Sequence, residues 1–524
     1  MTRVHRWLAL GLCAVAGLGA ALAHPPWGLL PGLLGYALLL WLLDTAGPVW
    51  PLRSAFLRGW LAGAAYFAVS LWWVAEAFMV DPAQAWMAPF AVILLASGLG
   101  LFWGAAAVTY RALAAKGARR LLLFAGVFAV FEWLRGHVLT GLPWDLPGET
   151  WKAGSAPSQA ASVFGAYGLT WITLAACAAP AVIREGWKGR LATGLGVAAI
   201  AGLYLFGMIR LSQAPSTDPK APTLRIVQAD VKQADKYDER AFASIVQRYT
   251  ALTRSPSASP PQIVIWPEGA IPADLDDYLG PGAWTADAIR DVLTPGQTLI
   301  VGGYRTVRSA DANRPEIYFN SLYAVRRTPD GFAAIGRYDK YRLVPFGEFM
   351  PMDKLAASVG FKQLVRVGDG FTPGPRPHPI VPPGVPPMQP LICYESLFPG
   401  FTREGQAAAG VRAAWIVNLS NDAWFGTTSG PWQHLNIASY RAIEEGLPMV
   451  RATPTGVSAI IDAFGRIAPG QALGQGAYGV IDGKLPPALS PTVFNRIGDL
   501  PLLILVIFSF AGAGAPGRAT LRRT

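Results

Sequence analysis

Leu391-Ile-Cys-Tyr-Glu-Ser396 ends a short apolar run on a thiol and follows it with polar residues, as a buried β-strand does where it turns. Cys393 is the only cysteine beyond Cys177, and Cys13 and Cys177 both lie inside apolar runs. With one cysteine in the polar half, no disulfide can form within it. Outward from Cys393, residues 223 to about 485 alternate short β-type runs with helical stretches. The expected strands are Leu224–Gln228, Ile263–Trp266, Thr298–Gly302, Asn320–Val325, Pro390–Ile392, Trp415–Leu419 and Val457–Asp462; the expected helices cover 239–253, 284–293 and 432–446. Such alternation predicts an α/β layered domain. Residues 372–390 are Pro-rich and read as a rigid loop.

The rest of the chain has a different character. Of 524 residues, 52% are hydrophobic and only 15% are charged, with mean hydropathy +0.32. Soluble domains carry about 25% charged residues, so part of this chain belongs in lipid. Apolar runs near 7–23, 28–43, 54–76, 87–110, 120–135, 161–183, 191–209 and 499–515 approach the span length of about 20 residues. The net charge of +11 is concentrated in short loops between these runs, which argues for membrane topology and against a nucleic-acid partner. Arg3, Arg6, Arg111, Lys116, Arg119, Arg120, Arg184, Lys188, Arg190, Arg518, Arg522 and Arg523 all fall on one side of an eight-span arrangement. Both termini are therefore expected in the cytoplasm, and the polar region on the opposite face. The N-terminal Thr2-Arg-Val-His-Arg6, its apolar stretch and Ala21-Leu-Ala23 also fit a cleavable signal peptide. The next run begins almost at once, which favours a retained span, and the polar region keeps its side either way. Tryptophans near span ends read as an interfacial belt. Glu132 and Arg135, at membrane depth, are expected either to serve function or to pair with each other.

The organisation that follows is a membrane domain of about seven helices over 1–211 and a Ser/Pro/Asp linker over 212–222. A catalytic domain over 223–490 and a C-terminal span with its tail over 491–524 complete it. Three places in it carry groups with chemistry: Val264-Ile-Trp-Pro-Glu268, Lys340 within Tyr338-Asp-Lys-Tyr-Arg342, and Cys393. A thiol with its ordinary pKa of about 8.5 is mostly protonated at neutral pH and needs a base or cation beside it. A carboxylate can take that proton, and an ammonium with a backbone N–H can hold the oxyanion of a tetrahedral intermediate. Taken singly, each residue also has a bland reading, as a solvated carboxylate, a snorkelling lysine or a small core hydrophobe.

The order Glu, Lys, Cys, each after a strand, resembles the nitrilase superfamily. Within it, Trp266-Pro-Glu268, Leu343-Val-Pro-Phe-Gly-Glu348, Cys393-Tyr-Glu-Ser396, Ser420-Asn-Asp-Ala-Trp-Phe-Gly426 and Gly430-Pro-Trp-Gln-His434 resemble the apolipoprotein N-acyltransferase family. So do Thr140-Gly-Leu-Pro-Trp144 and Phe164-Gly-Ala-Tyr-Gly168 in the membrane half. The resemblance implies a multi-span α-helical membrane domain plus an α/β nitrilase-like α-β-β-α sandwich domain. It also implies Cys393 as nucleophile, Glu268 as general base and Lys340 as the oxyanion-side cation, with Glu348, Tyr394, Glu395 and Tyr237 supporting the site or its substrates. The implied reaction takes an acyl chain from a phospholipid, typically phosphatidylethanolamine, through a Cys393 thioester to the α-amine of a diacylglyceryl apolipoprotein. That enzyme sits in the bacterial inner membrane with its catalytic domain in the periplasm and needs no cofactor. No His/Cys cluster has metal-ligand spacing, and His434 is expected to be structural.

Three stretches depart from the family pattern: Lys236-Tyr237 where an aromatic, often Trp, follows the Lys, Thr453-Pro-Thr-Gly456, and Asp145-Leu-Pro-Gly-Glu-Thr150. Tyr341–Phe349 and Asn421–Pro431 mix Gly, Pro and aromatics as lids over lipid substrates do. The rival enzyme is a membrane-tethered carbon-nitrogen hydrolase of a soluble amide, which would use the same three residues but needs only one span. A decayed scaffold or a transporter accounts for less of the chain.

Overall fold

The computed structural model describes residues 3–47, 49–308, 316–351 and 370–513. The end of the run 499–515 and Arg518, Arg522 and Arg523 lie outside the described residues. The chain forms two compact units, one of residues 1–214, 428–444 and 491–524, the other of residues 215–427 and 445–490.

The first unit is helical. Helices Arg3–Leu22, Gly35–Asp44, Pro51–Ser70, Ala88–Leu113, Arg119–His137, Ala161–Ala178, Gly186–Ser212 and Leu500–Ala513 stand where the apolar runs predict. By length and composition, Pro82–Leu113, Pro157–Val182 and Gly186–Ser212 are long and apolar enough to cross a membrane. Leu30–Asp44 and Leu500–Gly512 are shorter. Small residues bring Pro51–Ser70 and Ala88–Leu113 together: a Cβ on Gly59 would lie 2.5 Å from the Trp103 carbonyl oxygen, and one on Gly100 would lie 2.8 Å from Ala64 N. Backbones approach closely where no side chain intervenes, as is usual between membrane helices. Glu132 and Arg135 do pair, with Arg135 Nε 3.0 Å from Glu132 Oε2, and Trp103 Nε1 donates to Glu132 Oε1 at 2.5 Å.

Helix Gly430–Glu445 lies in sequence within 223–490, yet up to Glu444 it clusters with the helical unit. Its polar side chains fix it there. Gln433 Nε2 donates to Asp145 Oδ2 (3.0 Å), Asn436 Nδ2 to the Glu149 carbonyl (2.9 Å), and the Glu444 carboxylate accepts from Ala166 N (2.8 Å). Arg441 lies between Glu149 and Glu444, at 3.2 and 2.8 Å. His434 is buried with its ring centroid 5.6 Å from that of Trp144, the packing role expected of it.

The second unit holds two sheets. The first runs β11-β1-β2-β3-β4-β5, with β1 Thr223–Ala229, β2 Ile263–Ile265, β3 Thr298–Val307, β4 Ile317–Thr328, β5 Gly331–Asp339 and β11 Tyr478–Lys484. The second runs β10-β9-β8-β7-β6, with β6 Met388–Ile392, β7 Trp415–Leu419, β8 Met449–Ala452, β9 Ser458–Ile461 and β10 Ile467–Leu473. Strands β1, β2 and β3 are parallel, as are β6, β7 and β8, and such neighbours need crossover connections. Because side chains alternate along a strand, each strand of the first sheet feeds two cores. Leu224, Ile226, Ile263, Ile265, Ile300 and Leu322 pack with Ile392, Trp415, Val417, Leu419 and Val450 of the second sheet. Val227, Val264, Trp266, Leu299 and Val301 pack with Ile245, Val246, Tyr249 and Leu252 of helix Phe242–Thr253. That double burial explains why these strands read as unbroken apolar runs.

Strands β5, β8, β10 and β11 went unpredicted. In β5 and β10 most positions face outward or are only partly buried, so no apolar run marks them. The helix expected over 284–293 ends at Arg290.

Candidate active site

Each candidate residue stands just beyond the carboxyl end of a strand. Glu268 follows β2 after Trp266-Pro267, Lys340 follows β5 directly, and Cys393 follows β6 directly. Glu268 and Lys340 leave the first sheet and Cys393 leaves the second, so the three come from strand ends of two different sheets. Backbone bonds hold the approach: Lys340 N–H donates to the Asn320 carbonyl in β4 (2.8 Å), and Gly374 N–H donates to the Lys340 carbonyl (2.8 Å). A Cβ on Gly302 would lie 2.7 Å from Glu268 Cα, so only glycine lets β3 approach the Glu268 turn this closely.

Lys340, Glu268 and Glu348 meet. Lys340 Nζ lies 2.8 Å from Glu348 Oε1 and 3.5 Å from Glu268 Oε1, and Lys340 is fully buried. Burial alone would discharge this lysine, but Glu348 and then Glu268 outweigh it and raise its pKa above that of a free lysine. Asn320 Nδ2 donates to Glu268 Oε1 and to Glu348 Oε1, each at 2.7 Å. Val344 N–H donates to Glu348 Oε2 at 2.7 Å. Among the described residues, Glu268 Oε2 has no hydrogen-bond partner although it is buried. One carboxylate oxygen is thus fixed and the other is free to take a proton.

Cys393 begins a short 3₁₀ turn, Cys393–Leu397, with φ +50°. A left-handed conformation in a non-glycine residue costs of order 1–3 kcal/mol and persists where surroundings enforce it. Cys393 is partly exposed, yet burial of the sulfur, followed by the negative charge of Glu268, pushes its thiol up to about 12 against the pull of Lys340. A side-chain hydrogen bond with Ser420 also favours the thiolate.

Glu395 ties two of the segments together. Its Oε1 accepts from the Tyr338 hydroxyl (2.7 Å), Tyr341 N–H (2.8 Å) and Arg342 N–H (3.1 Å), while Oε2 accepts from Ile392 N–H (2.8 Å). Burial pushes its carboxyl up to about 7, opposed by the Ile392 and Tyr338 bonds. The Arg342 guanidinium lies 4.1 Å from the Phe398 ring centroid, a further link between the lysine and cysteine loops. Tyr394 is buried edge-on to Phe398, with centroids 5.1 Å apart. Tyr237 is exposed and accepts from Gln233 Nε2 at 3.3 Å.

Sequence reasoning missed Asn320, Lys236 and the Asp422–Arg451 pair. Lys236 Nζ donates to Asn421 Oδ1 (3.1 Å). Arg451 Nη2 lies 2.7 Å from Asp422 Oδ2, both fully buried, and Ser420 Oγ donates to Asp422 Oδ1 (2.7 Å). Arg451 had one signal, a charged residue within the apolar run Met449–Ala452; Asn320, beside Ser321, had none.

This arrangement suits acyl transfer through sulfur: a thiol, a carboxylate with one free oxygen, and an ammonium fixed between two carboxylates. Among the described residues no group of His, Cys, Asp and Glu is placed to hold a metal ion.

A family model described as Carbon-nitrogen hydrolase matches residues 223–490, half of the chain. The chain is 57% identical to the apolipoprotein N-acyltransferase of Caulobacter vibrioides over 97% of its own length and 94% of that protein. It belongs to the apolipoprotein N-acyltransferase family. The family's N-terminal domain model matches residues 16–179. Apolipoprotein N-acyltransferases of Bradyrhizobium diazoefficiens and Rhodopseudomonas palustris are 38% and 37% identical, each over 95% of this chain and 93% and 94% of theirs. The chain is therefore an acyltransferase of the nitrilase superfamily, with the expected helical membrane region and nitrilase-like domain.

Proposed function

We propose that this acyltransferase moves an acyl chain from a membrane phospholipid, typically phosphatidylethanolamine, to the N-terminal amine of diacylglyceryl-cysteine on an apolipoprotein. Cys393 is the nucleophile, Glu268 the base and Lys340 the oxyanion-side cation; Glu348 and Asn320 hold Glu268 and Lys340, and Glu395 positions the Lys340 and Cys393 loops. The reading rests chiefly on one observation: Glu268 Oε1 is anchored by Asn320 and Lys340 while Oε2 is unpartnered among the described residues.

In the first half, Glu268 takes the thiol proton as sulfur attacks the ester carbonyl. The C–S bond forms, the ester C–O bond breaks, and the proton passes to the departing lysophospholipid oxygen. In the second half, the amine attacks the thioester carbonyl. The C–N bond forms, the C–S bond breaks, and Glu268 carries a proton from nitrogen back to sulfur. The order suits the chemistry, since a thioester is reactive enough to acylate an amine when water is kept away.

The membrane domain is assigned to 1–211, the linker to 212–222, the catalytic domain to 223–490, and the last span and tail to 491–524. The lysine and arginine distribution supports an inner-membrane protein with both termini cytoplasmic and the catalytic domain periplasmic.

The test is intact mass of the full chain in detergent after mixing with phosphatidylethanolamine. Wild type should gain one acyl mass that hydroxylamine removes, and Cys393→Ala should gain none. An adduct that survives in Cys393→Ala would remove the covalent role of this residue.

A further inference from the structure

Lys236 belongs to a network that the Glu268, Lys340 and Cys393 roles do not require. Its ammonium donates to Asn421 Oδ1 (3.1 Å), whose Nδ2 donates to Gln233 Oε1 (2.9 Å), and Gln233 Nε2 in turn donates to the Tyr237 hydroxyl. The amine is thereby aimed at the Glu268 turn, where a Cβ on Gly269 would lie 3.3 Å from Lys236 Nζ.

Two features of this lysine point to a ligand. First, among the described residues its one hydrogen bond goes to a neutral amide, and no carboxylate lies within 4.0 Å of it. Lys340, in contrast, is held between two carboxylates. Lys236 is only partly buried as a residue, yet burial of its ammonium pushes it down to about 8, against the attraction of Glu268. A cation held by a neutral amide beside the Glu268 turn is open to an anion that arrives there. Second, Lys236 lines a cavity of about 260 Å³ with Tyr237, Asp238, Glu239, Phe242 and Pro272. The cavity walls therefore carry one cation, two carboxylates and two aromatic rings.

We propose that Lys236 binds the phosphodiester of the acyl donor, with the cavity beside it receiving the headgroup. The inference rests on the phospholipid-donor reading above. Of the groups on such a donor, the phosphate alone is a fixed anion, and it lies a few bonds from the ester that Cys393 attacks. A zwitterionic headgroup places an ammonium beyond that phosphate, where Asp238 and Glu239 supply the opposite charge. Lys236 is then a binding residue for the donor and not part of the proton transfer at Cys393.

The test compares two acyl donors on the full-length protein in detergent: phosphatidylethanolamine, and p-nitrophenyl palmitate, which carries no phosphate. The rate of thioester formation is read by intact mass for wild type, Lys236→Met and Lys236→Arg across donor concentrations. Lys236→Met should lose about tenfold to hundredfold with phosphatidylethanolamine at subsaturating donor, the scale of one charge-assisted hydrogen bond. It should keep the wild-type rate with p-nitrophenyl palmitate, which also shows that the variant is folded. Lys236→Arg should recover most of the loss. An equal fall with both donors, or no fall with either, overturns the inference. Failure of wild type to accept phosphatidylethanolamine while accepting the nitrophenyl ester would instead overturn the donor assignment on which it rests.

Discussion

Replacing Glu268 by Gln separates the proton-taking role of this carboxylate from its packing. The amide keeps the shape and one oxygen that can still accept from Asn320 Nδ2, now 2.7 Å from Oε1. What it loses is the free Oε2 and the charge. In wild type, burial and the Glu268 charge push the thiol well above neutral pH, so little of it is thiolate at pH 7 and a concerted base must supply the rest. A positioned general base is worth about 10²–10⁴-fold, so Glu268→Gln should slow thioester formation by that factor at pH 7. The pH dependence carries the sharper test. Without a base, reaction proceeds through whatever thiolate is present, so the residual rate should rise about tenfold per pH unit below the thiol pKa. Removing the Glu268 charge also takes away one of the causes that raise that pKa, so the rise should level off below pH 12. The assay is the initial rate of acyl adduct formation by intact mass with phosphatidylethanolamine, from pH 6 to 10. A rate within a few-fold of wild type, or a large loss with no pH dependence, would refute Glu268 as the base.

Asn320→Ala removes the amide that bridges Glu268 and Glu348, leaving each carboxylate short of one donor. Thioester formation should fall by about tenfold to hundredfold while Cys393 and Lys340 stay in place, since hydrogen bonds to charged groups are worth about 1.5–3 kcal/mol; an unchanged rate would remove Asn320 from the site. Glu395→Ala leaves three backbone N–H groups and the Tyr338 hydroxyl without their acceptor. Each unsatisfied buried donor costs about 1–3 kcal/mol, so thermal unfolding should come several degrees lower. A midpoint equal to wild type would show that the two loops do not depend on this carboxylate.

The sequence by itself was enough to read the two-part organisation, because lipid and a layered core select opposite compositions. It was enough to place β1, β2, β3, β4, β6, β7 and β9, because strands buried on both faces are continuous apolar runs. Glu268, Lys340 and Cys393 were legible as strand-end residues whose chemical types make a set. Tyr237 was named from the same segment, but the neighbouring Lys236 is the residue directed at the Glu268 turn. Strands such as β5 escaped because their outward positions carry no periodic apolar signal. Only the tertiary structure decided which groups meet. Asn320 bridges Glu268 and Glu348, Glu395 gathers Tyr338, Tyr341, Arg342 and Ile392, and Asp422 pairs with Arg451. The helix after β7 likewise reads as one more element of the α/β domain, but its Gln433, Asn436 and Arg441 bond with Asp145 and Glu149 of the helical unit. Apart from the Ile392 bond, these are contacts across tens to hundreds of residues of chain. Hydrophobic periodicity records which face of an element is buried; which buried polar atoms find each other depends on sheet register and chain crossings, which no local pattern encodes.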